Sequence, residues 1–188
     1  MKTIGVLALQ GDFAEHIQLL KSMKIPAIEV RNKSDLEKCS ALIVPGGEST
    51  TISKLLVSTG LDFEIKKRVS KGMPFYGTCA GAIIAAKTIP GEKEFIPLNL
   101  IDVEIKRNAF GRQTDSFETE LDVKGIGKMN GIFIRAPIIV KTGKGIELLA
   151  SFDGKPVLVR KKNILLGSFH PETEGNTKLH EYFLKMLS

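Results

Sequence analysis

Tryptophan is absent from the 188 residues, cysteine occurs twice and histidine three times. Two cysteines cannot staple a disulfide scaffold, and no Cys-x-x-Cys or Cys/His spacing suggests a zinc site, so no metal is expected. No apolar run approaches the roughly 18 residues that a membrane span requires. The opening stretch Ile4-Gly5-Val6-Leu7-Ala8-Leu9 is too short for a signal-peptide core, and no cleavage pattern follows it. The expected setting is the cytoplasm, with no membrane partner. Aromatics are sparse, 10 Phe and 2 Tyr, so platforms for stacking bases are not evident. Lys and Arg outnumber Asp and Glu by 27 to 21, a net charge of +6. The densest basic clusters, Lys66-Lys67-Arg68 and Arg160-Lys161-Lys162, have acidic or apolar neighbours. They read as solvated faces, and nucleic acid is not expected as a partner.

What is present is aliphatic and regularly spaced. With 43% hydrophobic residues, and roughly 150 residues per domain as a guide, positions 1–188 are expected to form one domain. Thr3–Leu9, Pro26–Val30, Ala41–Val44 and Met73–Tyr76 read as buried strands. Between them run helical patterns from Asp12, a plausible cap, to Met23, over Thr50–Leu56 and Leu61–Lys71, and then over Ala80–Lys87. Strand and helix in alternation, with near-continuous apolar strands, argue for an α/β fold whose parallel sheet is covered on both faces. The second half is richer in short strands: Leu100–Lys106, Ser116–Val123, Ile132–Ala136, Ile138–Lys141, Ile146–Phe152, Lys155–Arg160 and Ile164–Phe169. These read as an antiparallel extension. A last helix carries Leu179, Tyr182, Phe183, Met186 and Leu187 at helical spacing.

Parallel sheets place ligands beyond the carboxyl ends of their strands. One such loop is Gly77-Thr78-Cys79-Ala80-Gly81, a Gly-x-nucleophile-x-Gly turn between strand and helix. Its flanking glycines permit the sharp turn that lifts a side chain above the sheet, and the helix start favours a thiolate. Cys39 has no such turn around it and reads as core packing. Of the histidines, His16 lies beside an apolar helix face and reads as structural, whereas His180 falls between apolar positions and is expected to face water. His170 ends a strand and is followed by Pro171 and Glu172. Proline biases His170 toward extended backbone, in which residues two apart point the same way. Glu172 can then orient the imidazole, so that Cys79, His170 and Glu172 supply nucleophile, base and orienting carboxylate. Oxyanion donors would come from the backbone N–H of Ala80 and of Gly47, whose lack of a side chain allows close approach.

Gly-x-Cys-x-Gly followed much later by His-Pro-Glu resembles the triad-type (class I) glutamine amidotransferases. Leu9-Gln10-Gly11, Pro45 to Thr51, Arg107 to Gln113 with Asp115 to Glu118, and Phe133 to Pro137 narrow the likeness. Together they resemble the glutaminase-subunit family of pyridoxal 5′-phosphate synthase, over essentially the whole chain. The resemblance implies a three-layer, flavodoxin-like mixed sheet, mostly parallel. It implies that Cys79 attacks the side-chain amide of L-glutamine and that His170 protonates the departing ammonia. Gly47, Glu48, Ser49, Arg107, Ile134 and Arg135 would hold the substrate. Ammonia would pass to a separate synthase subunit as partner. Pyridoxal phosphate would be the product there, so no cofactor is expected on this chain. Gln10, on a strand-end loop, would couple partner docking to the oxyanion hole. Two other readings compete. A related cysteine hydrolase or chaperone-like protein would share the cysteine turn, but not His-Pro-Glu or the Arg107–Gln113 block. A nucleotide-binding module would need a phosphate-binding glycine motif, and the first strand is followed by none.

Overall fold

The computed structural model describes residues 2–92, 95–107 and 116–187. The first half runs β1 (Ile4–Leu7), α1 (Phe13–Ser22), β2 (Ala27–Val30), α2 (Lys33–Glu37), β3 (Ala41–Val44), α3 (Ser49–Thr59), α4 (Leu61–Ser70), β4 (Phe75–Thr78) and α5 (Ala80–Ala85). The second half contributes β5 (Val103–Lys106), β6 (Phe117–Val123), β7 (Gly127–Phe133), β8 (Ile138–Thr142), β9 (Glu147–Phe152), β10 (Lys155–Lys161) and β11 (Ile164–Gly167). A 3-10 turn, Pro171–Glu174, leads to α6 (Lys178–Leu184). No helix among the described residues is long and apolar enough to cross a membrane.

Seven strands form the central sheet in the order β2-β1-β3-β4-β11-β10-β9. Pairing is parallel from β2 through β11 and antiparallel from β11 to β9. β1, β3, β4 and β11 are buried along their whole length, which explains their unbroken apolar sequence. Their side chains still alternate between two cores. Leu7, Leu42, Val44, Phe75, Ile164 and Leu166 pack beneath α3, α4 and α5. Ile4, Val6, Ile43, Tyr76 and Leu165 pack against α1, α6 and the β6–β7 hairpin. Each fully buried aliphatic side chain contributes roughly 1.5–3 kcal/mol, so a one-residue slip in any of these strands would move apolar groups between cores shaped for others.

The fold adds one element to the expected set and corrects two strands. Asn32 accepts a hydrogen bond from the Asp35 N–H and starts α2, a short helix that periodicity does not reveal. The strand expected over Ile132–Ala136 lies earlier, as β7, because it pairs residue for residue with β6 from Phe117↔Phe133 to Val123↔Gly127. Beyond Phe133 the backbone turns at Arg135, whose φ is 45°, and Pro137 follows. The strand expected at Met73–Tyr76 runs two residues later, as β4, so its end delivers Thr78 directly to Cys79.

β1 is flanked by β2 on one side and β3 on the other, so the chain reverses direction across the sheet there. The loops after β1, β3, β4 and β11 therefore gather at one carboxyl edge, where a crevice is expected.

Candidate active site

At that edge Cys79 occupies the junction of β4 and α5 with φ 45° and ψ −101°, a conformation costly for an L-residue and held only by its surroundings. The surroundings are backbone. A Cβ on Gly81 would collide with the Val44 carbonyl oxygen, and one on Gly77 would lie 2.6 Å from the Gly81 carbonyl carbon. The Cys79 N–H is anchored to the Gly167 carbonyl at 2.9 Å. Both flanking glycines are thus required by close approach, and the sulfur is presented where β4 and β11 end.

His170 follows β11 and is fixed by its own N–H, which donates to the Ile132 carbonyl at 2.8 Å. Its Nδ1 lies 2.8 Å from Glu172 Oε1, which leaves the other ring nitrogen for the Cys79 thiol, with which His170 lines the same cleft. Glu172 does not lie on the extended backbone expected for it; the 3-10 turn starts at Pro171 instead. Within that turn the carboxylate still reaches back to the ring. His170 and Glu172 are 3% and 4% exposed. Burial alone would lower the His170 pKa, but the hydrogen bonds and negative charge of Cys79 and Glu172 outweigh it and push it up to about 10.

A cleft of about 490 Å³ opens over the sulfur, lined by Gln10, Asp12, Gly47, Glu48, Ser49, Cys79, Ile83, Arg107, Ile134, Arg135 and His170. It brings together residues that stand far apart in the sequence. Ala80 begins α5 beside the nucleophile. Glu48 caps α3, accepting from the N–H groups of Thr50 and Thr51 at 3.0 and 2.6 Å. Although burial opposes it, these bonds lower the Glu48 pKa to about 2. Arg107 leans over the same cap, its guanidinium 3.3 Å from Glu48 and 3.3 Å from Glu92. Of the distinctive Arg107–Gln113 block, residues 108–113 lie outside the described residues, as does Asp115.

Sequence reasoning missed some neighbours of the site. Asp12 stands at the start of α1 but its side chain caps nothing; Oδ2 lies 3.7 Å from His170 Nδ1. His180 does not face water. It is fully buried, with Nε2 2.8 Å from His16 Nδ1. Its spacing of three from Phe183 put it on the apolar stripe all along. A larger groove of about 720 Å³, at the opposite end of the sheet, joins Lys66 and Lys67 to Lys161 and Lys162. Its described lining holds neither cysteine nor histidine, so size alone does not locate the chemistry.

Comparisons with known proteins identify the relatives of this chain. The SNO glutamine amidotransferase family model matches residues 6–188. A pyridoxal 5′-phosphate synthase subunit PdxT from Thermus thermophilus is 52% identical over 184 residues, covering 97% of this chain and 96% of that one. A crystal structure described as a glutamine amidotransferase superposes with a TM-score of 0.95 at 51% identity, covering 98% of both chains. PurLQS from Thermotoga maritima, 17% identical with a TM-score of 0.74 and covering 100% of this chain and 99% of that one, shares the fold. Matched along nearly its entire length by the family model and by these relatives, the chain belongs to the SNO glutamine amidotransferase family.

Proposed function

We propose that this chain hydrolyses L-glutamine to L-glutamate and ammonia through a thioester on Cys79, and hands the ammonia to the synthase subunit of a pyridoxal 5′-phosphate synthase. The observation that carries the reading is the strained Cys79, sharing a cleft sized for a small molecule with a His170 that Glu172 holds in place. The sulfur passes its proton to His170 as it attacks the amide carbon. The C–N bond breaks as His170 passes its proton to the leaving nitrogen, giving ammonia and the γ-glutamyl thioester. His170 then takes a proton from water, the hydroxide adds to the thioester carbon, and the sulfur leaves with glutamate released. Negative charge on the substrate oxygen in both steps would be met by the backbone N–H groups of Gly47 and Ala80. Arg107, Arg135 and the polar groups of Glu48 and Ser49 surround the space left for the amino-acid end, with Ile134 as its apolar wall.

The partner assignment rests on the relationship to the Thermus PdxT subunit. Both cysteines are free, which suits the reducing cytoplasm we take as the setting. The test is glutamate release from L-glutamine, with and without the synthase subunit, for the wild type and Cys79→Ala. Release that depends on the synthase and vanishes in the variant is expected. Release surviving in Cys79→Ala would remove the thioester, and no release in either condition would favour the cysteine-hydrolase alternative.

A further inference from the structure

Behind the catalytic cleft lies a buried polar cluster that the thioester chemistry does not use. Glu172 spends one oxygen on His170, while its other, Oε2, is buried without a hydrogen-bond partner among the described residues and faces His16 Nε2 at 3.5 Å. His16 Nε2 also lies 3.3 Å from the hydroxyl of Thr78, the residue before the nucleophile. On its far side, His16 Nδ1 meets His180 Nε2 at 2.8 Å. Both rings are 0% exposed. Tyr76, on β4, is the other titratable group packed around the pair, with its ring edge-on to both imidazoles. Asp12 lies on the open side of His170.

A neutral imidazole has one donor and one acceptor, so the direction of this chain can be worked out. If His16 Nε2 were bare, its lone pair would face an anionic oxygen at 3.5 Å in a medium where such repulsion is weakly screened. His180 would then have to carry its proton on Nδ1, an atom with no hydrogen-bond partner among the described residues. The opposite direction removes both penalties. His180 Nε2–H donates to His16 Nδ1, and His16 Nε2–H points at Thr78 and Glu172. The unpartnered His180 Nδ1 is then an acceptor, and no donor is stranded.

We infer that His16 and His180 are positioning residues, a neutral one-way hydrogen-bonded pair whose Nε2–H, shared with Thr78, is turned toward the second oxygen of Glu172 and so steadies by its dipole the carboxylate that orients His170. This rests on the triad chemistry proposed above. It differs from simple core packing because the direction of the protons is specified. Desolvation lowers the pKa of both rings, to about 4 for His180, in keeping with a pair that stays neutral.

Because the chain has only three histidines, the test is direct. In the intact 15N-histidine-labelled subunit at pH 7, His16 and His180 should each be neutral with the proton on Nε2. A His16 protonated on Nδ1, or doubly protonated, would overturn the inference whatever the activity. The functional arm compares His16→Leu with His16→Gln in the complex with the synthase subunit. The Leu variant should lose roughly 10- to 100-fold in kcat, the range for removing an outer hydrogen bond to an oriented ligand, with KM for glutamine within about threefold. The Gln variant, whose amide keeps a donor near the Nε2 position, should recover most of the loss. Equal loss in both variants, or none in either, would overturn it. If the wild type releases no glutamate, the proposed function fails, while the tautomer measurement still decides the pair.

Discussion

The side-chain oxygen of Gln10 accepts a hydrogen bond from the Glu48 backbone N–H at 2.8 Å. This contact, together with the Asp12 N–H donating to the Gly46 carbonyl at 3.1 Å, straps the loop after β1 to the glycine loop after β3, beside Gly47, whose φ is +149° and whose missing Cβ would lie 2.6 Å from the same oxygen. A partner that moved Gln10 would therefore move the backbone proposed as an oxyanion donor. Gln10→Ala should lower synthase-stimulated glutamine hydrolysis by roughly 10- to 100-fold, somewhat less than deleting a donor outright. Unchanged stimulated hydrolysis would dispose of the coupling.

Arg107 makes a related prediction about binding. Its guanidinium contacts the Thr50 hydroxyl at 3.1 Å as well as Glu48 and Glu92, so it already stands among acceptors at the cleft rim. A substrate carboxylate would join that set. A charge-assisted hydrogen bond contributes about 1.5–3 kcal/mol, so Arg107→Ala should raise KM for glutamine by roughly 10- to 100-fold with a smaller change in kcat. Arg107→Lys, which keeps charge but loses the planar fork, should fall between. A kcat loss at constant KM would show that Arg107 acts elsewhere.

The sequence made some of this legible and hid the rest for identifiable reasons. The parallel strands announced themselves because each is buried on both faces, and Cys79 because its glycines are demanded by backbone contacts visible as a spacing. His170 and Glu172 were found by proximity along the chain, although the local backbone is a 3-10 turn and not a strand. Asp12 was misjudged because a residue before a helix resembles a cap, whatever its side chain does. His180 was misjudged because a polar residue on an apolar stripe is buried only if a partner such as His16, 164 positions away, meets it. That pairing belongs to tertiary structure.

The two thiols should differ sharply in reactivity. Cys39 is buried in the core behind β1 and donates to the Asp35 carbonyl. Burial pushes its pKa up to about 11, with Arg68 opposing. At pH 8 only about one part in a thousand is thiolate. Iodoacetamide followed by peptide mass analysis should label Cys79 alone in the native protein and both cysteines in denaturant. Prior incubation with a glutamine-derived electrophile should block the native label. Native labelling of Cys39 would contradict the packing described.

The buried histidine pair also sets a pH dependence of stability. His16 and His180 have folded pKa values below their ordinary value, about 4 for His180, because burial disfavours the charged ring. As pH falls below about 6.5 the unfolded chain takes up protons that the folded chain refuses, so stability is lost on acidification. The slope is at most about 1.4 kcal/mol per pH unit for each proton. His170, raised to about 10, opposes the other two near pH 6.5, where only its unfolded ring still titrates, and adds little slope below about pH 5.5. Glu48, lowered to about 2, acts in the same direction but only below about pH 4.5. Urea unfolding followed by circular dichroism should therefore show a falling midpoint between pH 6.5 and 5, before any carboxylate contributes. A flat midpoint across that window would mean that the two rings are not held neutral in the folded protein.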